Sequence, residues 1–158
     1  MDKEMAFKLA IGMCEQGKVK YQVHASNERI RTLIGSAAVY TEVAGEGDDM
    51  SYRFIAVFVE GIPVAEINEL ELYKWINDQN RVRWYGRVYA VDRDDATVDL
   101  YLQEEILAAN VQQEEFINSL HAMWAHADSL DDEAVAKFGG KTARDVIGGG
   151  SSPESIEA

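Results

Sequence analysis

Cysteine is almost missing. Cys14 is the only one in 158 residues, so no intramolecular disulfide can form. Its place in the first helical pattern reads as a buried structural thiol. No apolar run approaches the ~20 residues that a membrane-spanning helix needs. The N-terminus, M-D-K-E-M, lacks the basic region and apolar run of a secretory signal. A cytoplasmic protein with no membrane contact is expected. Positive charge is also scarce: 15 Lys and Arg face 28 Asp and Glu, a net charge of -13. Affinity for nucleic acid comes largely from Lys and Arg on phosphates, so direct binding to DNA or RNA is not expected. An acidic protein is drawn instead toward basic partners.

The motifs of chemistry are missing as well. No G-x-x-x-x-G-K-[ST], G-x-G-x-x-G or G-x-S-x-G occurs, and Cys14 has no partnering His signature. His121 and His126 are five apart on one helical pattern and project in different directions. Asp92, Asp94 and Asp95 sit like the start of a calcium loop. Thr97, however, stands where that loop needs Gly, and Gln103 where it needs a bidentate Glu. No catalytic residue, metal ligand or cofactor follows from the sequence, and an enzyme is not expected.

What is present is an ordinary soluble composition, 47% apolar and 27% charged, of a length suited to one domain. Its organising stretch runs from Asn68 to Ile106. Asn68 is placed as an N-cap, with Glu71 three residues on and Ile67 and Leu72 as a staple. Leu72, Trp75 and Ile76 follow on one helical face. After Asn80 the period changes from 3.6 to 2, the mark of a helix giving way to a strand.

Two strands alternate next, Val82 to Val91 and Val98 to Ile106. Val82, Trp84, Val88 and Ala90 face one way; Arg83, Tyr85, Arg87 and Tyr89 face the other. On the returning strand Val98, Leu100, Leu102 and Ile106 oppose Asp99, Tyr101, Gln103 and Glu105. Tyr85, Arg87, Tyr89 and Tyr101 are the candidate partner-binding residues, because aromatics and Arg are enriched in hot spots. A merely solvated face with cross-strand charge pairs would carry the same residues, each pair contributing under ~1 kcal/mol.

Earlier in the chain, residues 2–16 read as a helix capped by Asp2 and ended by Gly17. Its stripe of Met5, Ala6, Leu9, Ala10 and Met13 suits a sheet beneath it. Strands fill 18–61, with a hairpin loop at Gly45-Glu46-Gly47-Asp48-Asp49. Ser51 to Val59 is apolar on both sides: Tyr52, Phe54, Ala56 and Phe58 against Ile55, Val57 and Val59. Such a strand needs cover on both faces, and a second protomer or a partner's segment could supply one. With the face at Leu72, Trp75 and Ile76, this suggests a homodimer. Asn110 is placed to cap a last helix, Val111 to about Lys137, closing on Phe138-Gly139-Gly140. Residues 1–140 are therefore expected as one domain. Residues 141–158, rich in Gly and Ser, are expected as a flexible tail.

W-I-N-D-Q-N-R, an aromatic-rich strand, a D-rich turn, a second amphipathic strand and a helix closing on F-G-G resemble the YbjN-like family. Trp75, Asn77 and Asn80 are its markers here, over about residues 68–140. Members are described as bacterial sensory-transduction regulators with a fold like that of type III secretion chaperones. The resemblance implies an α+β protein in the order α-β-β-β-α-β-β-α, with an antiparallel sheet of about five strands and three helices. It also implies a homodimer that binds a segment of another protein and offers no catalytic residues; Asn77 and Asn80 would turn the chain into the hairpin. The expected function is a non-enzymatic chaperone or adaptor for a basic partner, of which a nucleic-acid-binding protein is one kind. The alternative is a sensor with a small ligand between the last helix and the sheet.

Overall fold

The computed structural model describes residues 1–150 except 25, 27, 35, 36 and 84, and no side chain is described at 34 or 147–150. The chain begins with helix α1 (Lys3–Gln16), entered as the sequence predicts: the Asp2 carboxylate accepts from the Met5 N–H at 2.8 Å. Four strands follow, β1 (Tyr21–His24), β2 (Arg29–Ile34), β3 (Ala37–Ala44) and the long β4 (Ser51–Pro63). Helix α2 (Glu69–Val82) then leads to β5 (Arg87–Asp92) and β6 (Thr97–Leu107), and α3 (Gln113–Phe138) and α4 (Ala143–Gly150) close the chain. All six strands form one antiparallel sheet in the order β1-β2-β3-β4-β6-β5.

The fold is α+β and chaperone-like, with one strand and one helix more than expected. The helix α4 lies within the expected tail, and three physical facts account for it. Lys141 exchanges two backbone hydrogen bonds of 2.8 Å with Glu60. Thr142 and Asp145 cap each other's backbone N–H groups. Ala143 is buried. Ordered structure therefore runs past residue 140.

One face of the sheet carries the core. Phe116 of α3 packs edge-on against Tyr52 and Phe54, with ring centroids 5.2 and 5.4 Å apart. The Tyr52 hydroxyl, buried beneath α1, donates to the Ala6 carbonyl at 2.7 Å, and burial pushes its pKa up to about 12. Leu100 and Leu102 of β6 and Val88 of β5 complete the layer. A register shift at Phe58 changes the expected sides of β4. Val59 is paired with Leu100 and wholly buried with it, while Phe58 meets the Trp75 ring. The bulge thus turns Phe58 and Val59 both inward.

The end of α2 also departs from expectation. The helix runs to Val82, and β5 starts only after Gly86, whose φ of +75° an L side chain rarely adopts. Val82 is exposed, Arg83 is the C-cap residue, and alternation holds only from Arg87 onward. Trp84, expected to face the core, lies outside the described residues. Asn80 reaches the outer margin of β5: its amide donates to the Val88 carbonyl at 2.9 Å and accepts from the Val88 N–H at 2.7 Å. A side chain there does what a neighbouring strand would do. At the start of α2 the Asn68 cap is as expected, accepting from Leu70 and Glu71. Asn110 instead adopts φ +62°, and α3 begins two residues further on behind Gln112.

Candidate functional site: the open face of the sheet

Helices α1, α2 and α3 share one face of the sheet, and among the described residues only α4 touches the other. The strand register lays side chains across that open face in rows. One row runs Gln22, Arg31, Tyr40, Ile55, Gln103 and Arg87, one residue from each strand. The next is an alternating ladder of charge. Arg29 donates to Glu42 at 3.0 Å, Arg53 reaches Glu42 at 3.3 Å and Glu105 at 2.7 Å, and Ser51 adds a bond to Glu105 at 3.2 Å. On the other side of the first row, Val57, Tyr101 and Tyr89 stand in register.

These side chains hold one another. Tyr89 and Tyr101 lie with ring centroids 5.4 Å apart, and the Arg87 guanidinium sits 5.9 Å from the Tyr89 ring centre. The Tyr89 hydroxyl donates to Gln103 at 2.8 Å, and Gln103 donates to Glu105 at 3.1 Å. Arg53 holds the Glu105 carboxyl below its ordinary range, and burial raises Tyr89. Arg29 lies over the Tyr40 ring at 5.8 Å. Ion pairs this exposed contribute at most ~1 kcal/mol each to stability. Their more useful effect is to fix long side chains in advance, which lowers the ordering cost when something binds.

Charge is distributed unevenly. The ladder and its neighbouring row hold Arg29, Arg31, Arg53 and Arg87 against Glu42 and Glu105. In a molecule of net charge -13 these two rows are not acidic, and Asp99 and Glu60 lie beyond them on the same face. The carboxylates crowd elsewhere, on α3 (Glu114, Glu115, Asp128, Asp131, Asp132, Glu133) and around the β5–β6 turn.

Of the four residues expected to bind a partner, Arg87, Tyr89 and Tyr101 do share the open face. Tyr85 does not. It lies before β5, stacks on His126 of α3 at 5.5 Å and donates its hydroxyl to the Ser119 carbonyl at 3.1 Å. Burial pushes its pKa up to about 12. Gly86 breaks the alternation on which its assignment relied. Tyr40, Ile55 and Arg53 were not expected here; only the register, which no sequence pattern prints, joins β3 and β4 to the hairpin.

The dimer surface is also corrected. Leu72 and Trp75 are buried in the chain's own core, where Trp75 meets Phe58 and Phe138 and its indole donates to Glu133 at 3.1 Å. Ile76 packs against the same core. These three form the inward stripe of α2, and the large apolar residues it shows to solvent are Leu70, Tyr73 and, at its end, Val82.

Among the described residues no group of His, Cys, Asp and Glu could hold a metal ion. Cys14 is wholly buried and burial holds its thiol up to about 12, far from a reactive thiolate. A cleft of about 420 Å³ beside β5 is open and lined by Arg83, Gly86, Arg87, Gln103, Glu104 and Glu105. Its described lining is polar and charged, unlike the predominantly apolar lining usual for small-ligand pockets. Among the described residues no helix is long and apolar enough to cross a membrane.

The fold has close counterparts. The crystal structure of YbjN from E. coli superimposes with a TM-score of 0.62 at 13% identity, covering 82% of this chain and 91% of that one. A chain of the ExsC–ExsE complex superimposes with a TM-score of 0.59 at 21% identity, covering 84% and 96%. No curated protein sequence matches. The family model described as T3SS (YopN, CesT) and YbjN peptide-binding chaperone 1 matches residues 15–146. The YbjN-like pattern, the helix-backed antiparallel sheet and this match agree, and the chain belongs to that family of peptide-binding chaperones.

Proposed function

We propose that the chain is a non-enzymatic chaperone or adaptor that holds a segment of a partner protein on the open face of its sheet. The observation that carries this is the face itself. It offers aliphatic and aromatic groups at Val57, Tyr40, Tyr89 and Tyr101, framed by side chains already fixed by mutual hydrogen bonds. Family membership supports a peptide as the occupant, and the ExsC–ExsE complex is a related fold solved with a protein partner. The carboxylates of α3 and the β5–β6 turn would hasten encounter with a basic partner, such as a nucleic-acid-binding protein, while the face selects the segment. We further propose that the protein acts in the cytoplasm as a homodimer joined through Leu70 and Tyr73 of α2.

Panning a library of random dodecapeptides on the protein tests the function. Enriched peptides should lose most of their affinity for a Tyr89→Ala, Tyr101→Ala double variant. That variant should unfold within ~1–2 kcal/mol of the parent, since cross-strand aromatic pairs contribute under ~1 kcal/mol each. Enriched peptides that bind the variant undiminished would move the site off this face, and failure to enrich any would end the peptide-holding assignment.

A further inference from the structure

Helix α4 serves no part of the helical face; it sits alone on the open one. We propose that α4 is a built-in occupant of the peptide-holding face, and that a partner's segment takes its place as a short helix presenting small aliphatic side chains three residues apart. The inference rests on the function proposed above and names the subsite and the shape of what fills it.

The chain is led there by backbone geometry. Gly139 and Gly140 have φ of +80° and +82°, and a Cβ on Gly140 would lie 2.7 Å from the Glu60 carbonyl oxygen. Only glycine allows so close a crossing. Lys141 then pairs with Glu60, on a length of β4 that β3 does not reach. Thr142 and Asp145 start the helix with reciprocal bonds to their backbone N–H groups at 3.2 and 3.4 Å.

Among the described side chains, α4 meets the face through Ala143 and Val146. Ala143 and Val146, three apart, line a cavity of about 50 Å³ with Arg31, Ala38, Tyr40, Val57 and Glu60. Val146 keeps 39% of its surface exposed, and about 50 Å³ stays open among the described side chains around it. The helix, A-R-D-V-I-G-G-G, closes on three glycines, the poorest helix formers after proline. A firm anchor, a weak body and an underfilled pocket suit an occupant that gives way. A segment with leucine or isoleucine in the place of Val146 would fill the space better. While tethered, α4 competes at a high effective concentration and masks the subsite from weak ligands.

The test uses the full chain and a fluorescent peptide of residues 141–150. Val146→Asp should release α4 without disturbing the fold, since that side chain is already part exposed. Asp145→Ala, which removes the carboxylate half of the reciprocal cap and leaves the cavity intact, should act in the same direction. Either variant should bind the peptide at least about tenfold more tightly than the parent chain, as expected for removal of a tethered competitor. A peptide carrying Val146→Leu should bind more tightly still, and one carrying Val146→Asp should not bind. Equal affinity for parent and variants, or no binding to the variants, overturns the inference. The dodecapeptide library separates the two levels. Equal enrichment on parent and Val146→Asp chains sinks the built-in occupant and leaves the peptide-holding function standing; no enrichment on either sinks both.

Discussion

The Arg83 guanidinium donates a hydrogen bond to Nδ1 of His126 across 2.6 Å, tying the end of α2 to the middle of α3. Arginine has no acceptor, so Nδ1 must be unprotonated. Burial first, and the Arg83 charge second, hold His126 below its ordinary value of 6.5. Burial also lowers Arg83, whose other side-chain bond is to Gln79.

Stability should therefore depend on pH through this residue. With the folded pKa lowered, the unfolded chain takes up the proton first as pH falls. The contribution is intact above 6.5 and is lost as pH drops from there through the lower folded value. Between about pH 7 and about pH 5.5 the Tm of the parent should fall more than that of His126→Gln. Parallel curves would show that His126 does not titrate in this window.

Trp75 and Tyr73 should separate stability from association. Trp75→Ala removes a buried ring that meets two others and should cost ~3–5 kcal/mol, whatever the protein concentration. Tyr73→Glu, on the outer side of α2, should leave a monomer in sedimentation with unfolding changed by under ~1 kcal/mol. A parent that sediments as a monomer at micromolar concentration would end the dimer proposal.

Nucleic acid should not bind when the protein is alone. The hairpin brings Arg87, Tyr89 and Tyr101 together, yet Tyr85 is stacked on His126 and unavailable to a base. Fluorescence anisotropy with labelled single- and double-stranded DNA near physiological salt should show no change. Micromolar binding that weakens in Arg87→Ala would make the hairpin a nucleic-acid platform instead.

Asn80→Ala should destabilise the chain by ~1–2 kcal/mol, because it leaves both backbone groups of Val88 without the amide that satisfies them. Chemical denaturation measures the loss. Leucine of similar volume should not restore stability, since it can neither donate nor accept.

Much of the fold could be read from residue periodicity. Asp2 and Asn68 announce their helices because a cap is a local event between a side chain and the next turn. β6 alternates in polarity because one face packs beneath the helices and the other carries polar side chains, of which Asp99 and Gln103 are themselves buried. What escaped has long-range causes. The bulge at Phe58, which turns Val59 inward, depends on how β4 meets β6. The fate of Tyr85 depends on Gly86 and on a histidine 41 residues away in the chain. Ordering of α4 begins with backbone pairing between Lys141 and Glu60, and backbone pairing has no side-chain signature. The site was half visible for the same reason: Arg87, Tyr89 and Tyr101 lie on one hairpin, whereas Tyr40 and Ile55 join them only through register.

The Asn80 amide on Val88 also bears on how this protein can fail. A sheet that grows into a fibre must expose a pairing margin at both ends, one to accept the next molecule and one to be accepted. Here the β5 end is stoppered at Val88, and only the four-residue β1 margin terminates the sheet on the other side. Two molecules could join β1 to β1, but a third arriving at β5 would find Val88 already paired. Misassembly by strand pairing is thereby checked at Val88, which suits a protein that must keep its sheet free for α4 and for the partner segment that displaces it.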